Sequence, residues 1–223
     1  MNSIVNPWLE LPNTGPYVLK SDTFAIDAFN ATASEDHRIH LEILPEPFLG
    51  VPTADIVLLS LNPGFSPEEE KFHHLDDYFR TVALANLAHE EQPFPFYFLE
   101  PRKKSPGHDW WQKRLGSLIE LFGHRAVAHN VLCLEFFPYH SKKYSPKTPM
   151  VPSQSYTFAL LEAAIERDAV IIGMRSLDRW FDAVPKLADY TIHKLNSTQA
   201  VYVSPNNCPT GYAEACRRLG RKN

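Results

Sequence analysis

The chain has 223 residues, of which 44% are hydrophobic and 22% are charged, so it can bury a large core, and one domain over 1–223 is expected. Its formal net charge of −4 excludes a global cationic field that would draw the protein onto nucleic acid, and leaves only a local basic patch open. No apolar run reaches the roughly 20 residues of a membrane span, and the amino terminus lacks the pattern of a signal peptide, so we expect a soluble, cytoplasmic protein with no membrane partner.

The first 50 residues are expected to form an irregular, partly helical lead-in that packs on a sheet. Pro7, Pro12 and Pro16 punctuate an extended entry, and 22–35 has a helical pattern. The segment LPEPFLGVPTA (44–54) excludes regular structure, because proline lacks the backbone donor that helices and strands need. The core of the domain is then expected to cover 51–220.

Short apolar segments predict the strands of a buried sheet, within 55–61, 126–139, 169–173 and 200–205. Helical patterns alternate with them, over 67–88, 108–122, 153–168, 175–184 and 209–220. In the first of these helices Ser66 is the expected N-cap, with Pro67 at the first position and Glu69 reaching back to the cap. This alternation predicts an α/β fold, a three-layer α/β/α domain with a central, mainly parallel four-stranded sheet.

Ligands of such sheets bind beyond the carboxyl ends of the strands. The segments that follow the predicted strands are 61–64, 134–139, 173–175 and 203–207. Asn62 comes directly after the first strand, and Gly64 lets the backbone approach a ligand closely. The plainer alternative for Asn62 is a turn residue whose side chain bonds its own backbone.

Three motifs at these strand ends are LSLNPGF (59–65), VLCLEFFPYHS (131–141) and VSPNNCP (203–209). In order and spacing they resemble the uracil-DNA glycosylase-like superfamily, particularly the mismatch-specific branch whose first motif also carries Asn-Pro-Gly. The resemblance covers 45–220. It implies the uracil-DNA glycosylase-like fold, DNA or a nucleobase or nucleotide ligand as the partner, and hydrolytic excision of a flipped-out base, an activity of DNA repair.

The resemblance implies roles for individual residues. Asn62 would be catalytic by aligning the water that attacks the sugar C1′, since an amide orients water but cannot take its proton. An aromatic residue from 96–98 would stack on the base. The alternative interpretation is that these aromatic residues are buried in the core. The base-binding candidates are Glu135, Phe65, Phe96, Phe98 and Tyr139. The candidates for contact with phosphate or DNA are Ser204, Asn206, Asn207, Arg175, Lys142 and Lys143.

Two positions depart from the family pattern. Val203 stands where the family has a histidine that stabilises the oxyanion of the departing base, and losing such a donor commonly costs on the order of 10²–10³ in rate. Asn206 or Asn207 is the candidate to replace that histidine as the hydrogen-bond donor to the oxyanion. Glu135 stands where uracil-specific members have an asparagine, and an ionised carboxylate only accepts hydrogen bonds. It would repel O4 of uracil and suits a base that presents two donors, such as guanine, unless burial protonates it. The alternative is a carboxylate that caps a helix or pairs with a lysine.

Basic residues cluster at 102–104 and at 142–147, beside the predicted strand ends, and Arg175 follows the third strand. They are candidates for phosphate binding, and a solvated loop or a packing contact is the alternative for each. The three cysteines and ten histidines show no metal-ligand spacing, and no glycine-rich phosphate loop or nucleophile elbow is present. We therefore expect no cofactor, no metal and no iron–sulfur cluster. Oligomeric state stays open.

Two functions follow as hypotheses. The first is a nucleobase-excising, DNA glycosylase-like hydrolase that uses base flipping, stacking and a water aligned by Asn62. The second is a binding protein for a nucleobase, nucleotide or nucleic acid on the same fold, without catalysis, because Val203 leaves the oxyanion unassisted. An unrelated α/β enzyme whose turns match by chance is the third possibility.

Overall fold

The structure, a computed structural model, describes residues 5–221, and a sheet of five short strands runs through that part of the chain. The strands are β1 (Phe48–Leu49), β2 (Ile56–Leu59), β3 (Val131–Leu134), β4 (Val170–Gly173) and β5 (Ile192–Lys194). Their order is β1-β3-β2-β4-β5, with β1 antiparallel to β3 and the other neighbours parallel. The α/β class is confirmed, whereas the sheet has five strands rather than four and is mixed.

The three central strands are buried on both faces, as their continuous Val, Ile and Leu runs predict. Leu59 at the end of β2 pairs with Leu134 on one side and with Gly173 on the other. All three strands therefore end at the same level. The residues that follow them emerge side by side at one edge of the sheet.

Seven α-helices lie in the described range: α1 (Thr23–Asn30), α2 (Pro67–Leu75), α3 (Asp77–Leu87), α4 (Pro106–Asn130), α5 (Gln154–Glu166), α6 (Leu177–Ala183) and α7 (Pro209–Gly220). One sheet face, with Ile56 and Leu58, shares a core with α3, α4 and α7. The opposite face, with Val57 and Leu59, shares a second core with α1, α5 and α6. The molecule is thus a three-layer α/β/α arrangement.

The helix predicted over 67–88 is two helices, because Asp76 between them is extended (φ −111°, ψ 97°). Its side chain accepts a hydrogen bond from the backbone N–H of Phe79 at 3.0 Å and so caps α3. Ser66 caps α2 by accepting from the N–H of Glu69 at 3.1 Å, as expected. The helix α4 continues past its predicted end, with a break at Gly123, whose φ of 79° glycine adopts without a steric penalty.

The prediction of a strand at 200–205 is wrong. That segment has no strand pairing, and the sheet ends instead in β5, which pairs in parallel with β4. Val201 and Val203 are fully buried, and the N–H of Val203 donates to the carbonyl of Arg114 in α4. The apolar pattern therefore reflects a loop packed on a helix.

The lead-in contributes to the sheet more than expected, because Phe48 and Leu49 form β1 inside the proline-rich 44–54 segment. Trp8, Ile26 and Ile39 pack in the core on the α5 side of the sheet. Short 3₁₀ helices lie at Pro7–Glu10, Glu35–His37, Tyr97–Leu99 and Pro185–Asp189. Among the helices of residues 5–221, none has the length and apolar character required to cross a membrane.

Candidate functional site

A cavity of about 620 Å³ opens at the carboxyl ends of β2, β3 and β4. Its size lies within the roughly 300–1,000 Å³ of small-molecule sites. The segment after β2 supplies residues 60–66, β3 is followed by Glu135, and β4 by Arg175. The remaining wall comes from Glu46, Glu69, Phe98, Pro106, Gly107, Trp110, Trp111 and residues 140–144. Because the three central strands end in register, the segments that follow them meet at this cavity.

Asn62 lines this cavity and is tied to the segment beyond β3. Its amide nitrogen donates to the carbonyl of Pro63 and to the hydroxyl of Ser141, both at 2.9 Å. The first bond is the turn contact that the plainer reading predicts. Because both bonds use Nδ2, the amide oxygen Oδ1 is the group that can accept a hydrogen bond from water or ligand.

The turn at 62–64 is also held by His140. Nδ1 of His140 lies 2.6 Å from the carbonyl oxygen of Gly64, and since a carbonyl only accepts, Nδ1 carries the hydrogen. Burial lowers the pKa of His140 to about 4, so the ring is neutral at neutral pH. His140 is therefore a structural donor that fixes the mouth of the cavity.

Glu135 emerges from β3 into the cavity and is only 4% exposed. Its N–H donates to the carbonyl of Pro47, while Oε2 is buried without a hydrogen-bond partner in the described structure. Desolvation raises its pKa to about 7, against the opposing effects of the Ser60 hydroxyl and the Arg175 charge. A buried oxygen without a partner is costly, so a ligand that donates to Oε2 would be favoured.

Two further carboxyl groups line the cavity, and no pattern in the sequence marks either as a site residue. Glu46 lies in the proline-rich segment before β1 and accepts a hydrogen bond from the hydroxyl of Tyr97 at 2.9 Å. Burial raises the pKa of Glu46 well above its usual range and that of Glu69 to about 7. Glu69, expected to reach back to its helix cap, instead contributes to the cavity wall.

Aromatic rings form much of the wall. Phe65 is half-buried, and one face of its ring stacks on His40 with the centroids 3.4 Å apart. Trp110 is also half-buried, whereas Phe98 and Trp111 are both only 3% exposed. The half-buried rings of the wall are therefore Phe65, Trp110 and Tyr144, and neither Trp110 nor Tyr144 was among the predicted residues.

Two predicted base-binding residues lie in the core instead. Phe96 is fully buried and packs edge-on against Trp111. Tyr139 is fully buried as well, and its hydroxyl donates to Asp22 at 2.7 Å and accepts from the N–H of Leu19. Neither residue lines the cavity. The prediction failed for both because the same aromatic side chains that stack on a base also pack in a hydrophobic core.

The predicted basic residues Lys142, Lys143 and Arg175 do line the cavity. Both lysine ammonium groups bind the carboxylate of Asp36, at 2.7 and 2.6 Å, and both lysines are well exposed. These bonds hold the pKa of Asp36 down at about 2. One negative charge therefore offsets two positive ones at this rim.

The last predicted motif lies elsewhere. Ser204, Asn206 and Asn207 line a separate depression of 360 Å³, and the Asn207 amide binds three carbonyls of the 197–202 loop. Arg114 separates the two sites by stacking between Trp110 and Tyr202, with its guanidinium 4.4 and 4.9 Å from the ring centroids. Of the predicted site residues, Asn62 and Glu135 meet in one cavity. Ser204, in the third motif, lies in the separate depression and does not join them.

Among residues 5–221, no group of three or more histidine, cysteine, aspartate or glutamate side chains is arranged to hold a metal ion. Comparison of the chain with protein-family models, with curated proteins and with solved structures gives no match.

Proposed function

We propose that the protein is a hydrolase of the N-glycosidic bond that takes a flipped-out nucleobase into the cavity at the strand ends. The observation that carries the proposal is the meeting of Asn62 and Glu135 in one cavity with aromatic walls. A planar base would stack on Phe65 or Trp110 and direct its polar edge toward Glu135. The resemblance of the first two motifs, which follow β2 and β3 and line the cavity, points to the same chemistry.

In this proposal Asn62 aligns the attacking water through Oδ1 while Ser141 holds the amide in position. The amide does not accept the proton, so the rate depends on how readily the base departs. Lys142, Lys143 and Arg175, which line the rim, would contact the phosphates on either side of the flipped nucleotide. The weak net charge of the rim implies modest affinity for undamaged DNA.

A second candidate function is binding of a nucleobase or nucleotide without catalysis. The observation in its favour is that Val203 and Ser204 line the neighbouring depression, so the last motif gives no hydrogen-bond donor to a base in the cavity. A base that must leave as an anion would then be bound and not released.

The test uses labelled single- and double-stranded oligonucleotides that carry uracil, hypoxanthine, xanthine, mismatches or an alkylated purine. We expect alkali-sensitive abasic sites on at least one substrate, and loss of those sites with Asn62→Ala. Glu68→Gln, an exposed position on α2, serves as the control and should cleave like the wild type. Binding without cleavage on every substrate would favour the second candidate function.

A further inference from the structure

The polar groups inside the cavity are mainly hydrogen-bond acceptors. Glu46, Glu69 and Glu135 contribute carboxyl groups, and the buried Oε2 of Glu135 has no hydrogen-bond partner in the described structure. The amide nitrogen of Asn62, a donor, is already occupied by Pro63 and Ser141. Where Glu69 and Glu135 are ionised, above about pH 7, a ligand that fits must therefore bring donors, positive charge or both.

Few cations are positioned to neutralise these carboxyl groups. The ion pairs found among residues 5–221 use other carboxylates, and Lys142 and Lys143 at the rim are held by Asp36. Arg175 is exposed and lies near enough to Glu135 to oppose the effect of burial on its proton affinity. Above about pH 7, where Glu69 and Glu135 ionise, the interior is negatively charged and the cations lie at the rim.

The aromatic wall also suits a cation. One ring face of Trp110 already holds the guanidinium of Arg114, 4.4 Å from the ring centroid. Trp110 and Phe65 are both half-buried, so each retains ring surface toward the cavity. The faces of aromatic rings attract cations, most strongly where water is excluded.

On the basis of the proposed function, we infer that the preferred substrate is a positively charged base, a purine alkylated on a ring nitrogen. Such a base stacks on Trp110 or Phe65, whose ring faces attract its delocalised positive charge, and directs its exocyclic amino group toward Glu135. A neutral uracil offers neither the charge nor an exocyclic amino donor. Glu135, which disfavours uracil, becomes the group that selects this substrate.

The inference also accounts for the missing donor at Val203. Water aligned by Asn62 forms a bond to C1′, the bond from C1′ to the ring nitrogen breaks, and its electron pair passes to that nitrogen. The pair cancels the positive charge, so the base leaves neutral, and the proton lost by water passes to solvent. No oxyanion forms on the base, and no histidine is needed to stabilise one.

The test compares two small ligands that differ in charge. The charge of 7,9-dimethyladeninium is independent of pH because both imidazole nitrogens are alkylated, whereas 9-methyladenine is neutral. Binding is followed at pH 8 by the fluorescence of Trp110 and Trp111, which line the cavity. We expect the cation to bind about tenfold more tightly or better, a ratio that a desolvated cation–π contact can supply. Equal affinities, or no binding of the cation, would overturn the inference.

Two variants connect this ratio to the carboxylate. Glu135→Gln should reduce the preference for the cation severalfold, and Glu68→Gln, on the exposed side of α2, should leave it unchanged. If Glu135→Gln does not fold, the wild-type ratio alone decides. An unchanged ratio in folded Glu135→Gln would contradict the assignment of Glu135.

A parallel assay separates this inference from the proposed function. Oligonucleotides with 7-methylguanine or uracil are incubated with the protein, and abasic sites are quantified. Faster excision of 7-methylguanine supports both. Excision of uracil or hypoxanthine without preference for the cation overturns the inference and leaves the hydrolase intact. Preference for the cation in binding, with no excision of any base, supports the inferred ligand class and refutes the hydrolase.

Discussion

Glu135 is a carboxyl group whose proton affinity is set by burial, and this has a measurable consequence for stability. Its pKa rises from the ordinary 4.5 to about 7 in the folded protein. Between these values the unfolded chain ionises while the folded chain keeps its proton, so the free energy of unfolding falls as pH rises toward 7. Glu46, Cys133, Ser60 and Arg175 are the groups that face it.

We predict that Glu135→Gln flattens this pH dependence, because an amide cannot ionise. The effect should be on the order of 1–3 kcal/mol between pH 5 and pH 8. Urea unfolding at a series of pH values measures it, with Glu68→Gln as the exposed control. Identical slopes in the wild type and Glu135→Gln would show that Glu135 is ionised throughout this range.

The break between α2 and α3 depends on one cap. Asp76 accepts a hydrogen bond from the N–H of Phe79, and Phe79 packs in the core beside α4. Asp76→Ala should destabilise the protein by about 1 kcal/mol, the usual effect of losing a helix cap. Asp77→Ala, at the next position, is exposed and should have a smaller effect. Thermal unfolding compares the two, and equal losses would contradict the role of the cap.

The first turn of α4 shapes the aromatic wall of the cavity. A Cβ on Gly107 would lie 2.4 Å from the ring of Phe98, so Gly107→Ala must displace that ring. We expect about 1–3 kcal/mol of destabilisation and weaker binding of the dimethyladeninium ligand. Gly116→Ala, in the same helix with open space around its Cβ, should be neutral or stabilising. Thermal unfolding and tryptophan fluorescence measure both variants, and equal behaviour would show that the position of the Phe98 ring does not shape the cavity.

The strands β2, β3 and β4 could be predicted because each is a continuous apolar run buried on both faces. The edge strand β5 escaped prediction, since Ile192 and His193 are half-buried, Lys194 is exposed, and the three carry no such signal. The apolar 200–205 segment was wrongly predicted as a strand, because a loop buried against a helix leaves the same apolar pattern as a buried strand. Apolar periodicity reports burial and does not identify the backbone partner.

The site residues, like the strands, were predictable in part. Asn62, Glu135 and Arg175 could be placed together because parallel strands deliver their following residues to one edge. The segments that carry Glu46, Glu69 and Trp110 reach that edge only through tertiary packing. No local sequence pattern predicts that they line the cavity. The aromatic residues Phe96 and Tyr139 could not be assigned to core or cavity from composition alone.

For the molecule as a whole, the proposed function requires that the cavity releases a base from DNA with Asn62 as the residue that aligns water. Mass spectrometry of the free base released from alkylated DNA tests this requirement most directly. We predict release by the wild type and by Glu68→Gln, loss of about 10²-fold or more with Asn62→Ala, and retained activity with Asn62→Asp, whose carboxylate can both orient water and accept its proton. No free base from the wild type, or release by Asn62→Ala at the wild-type rate, would contradict it.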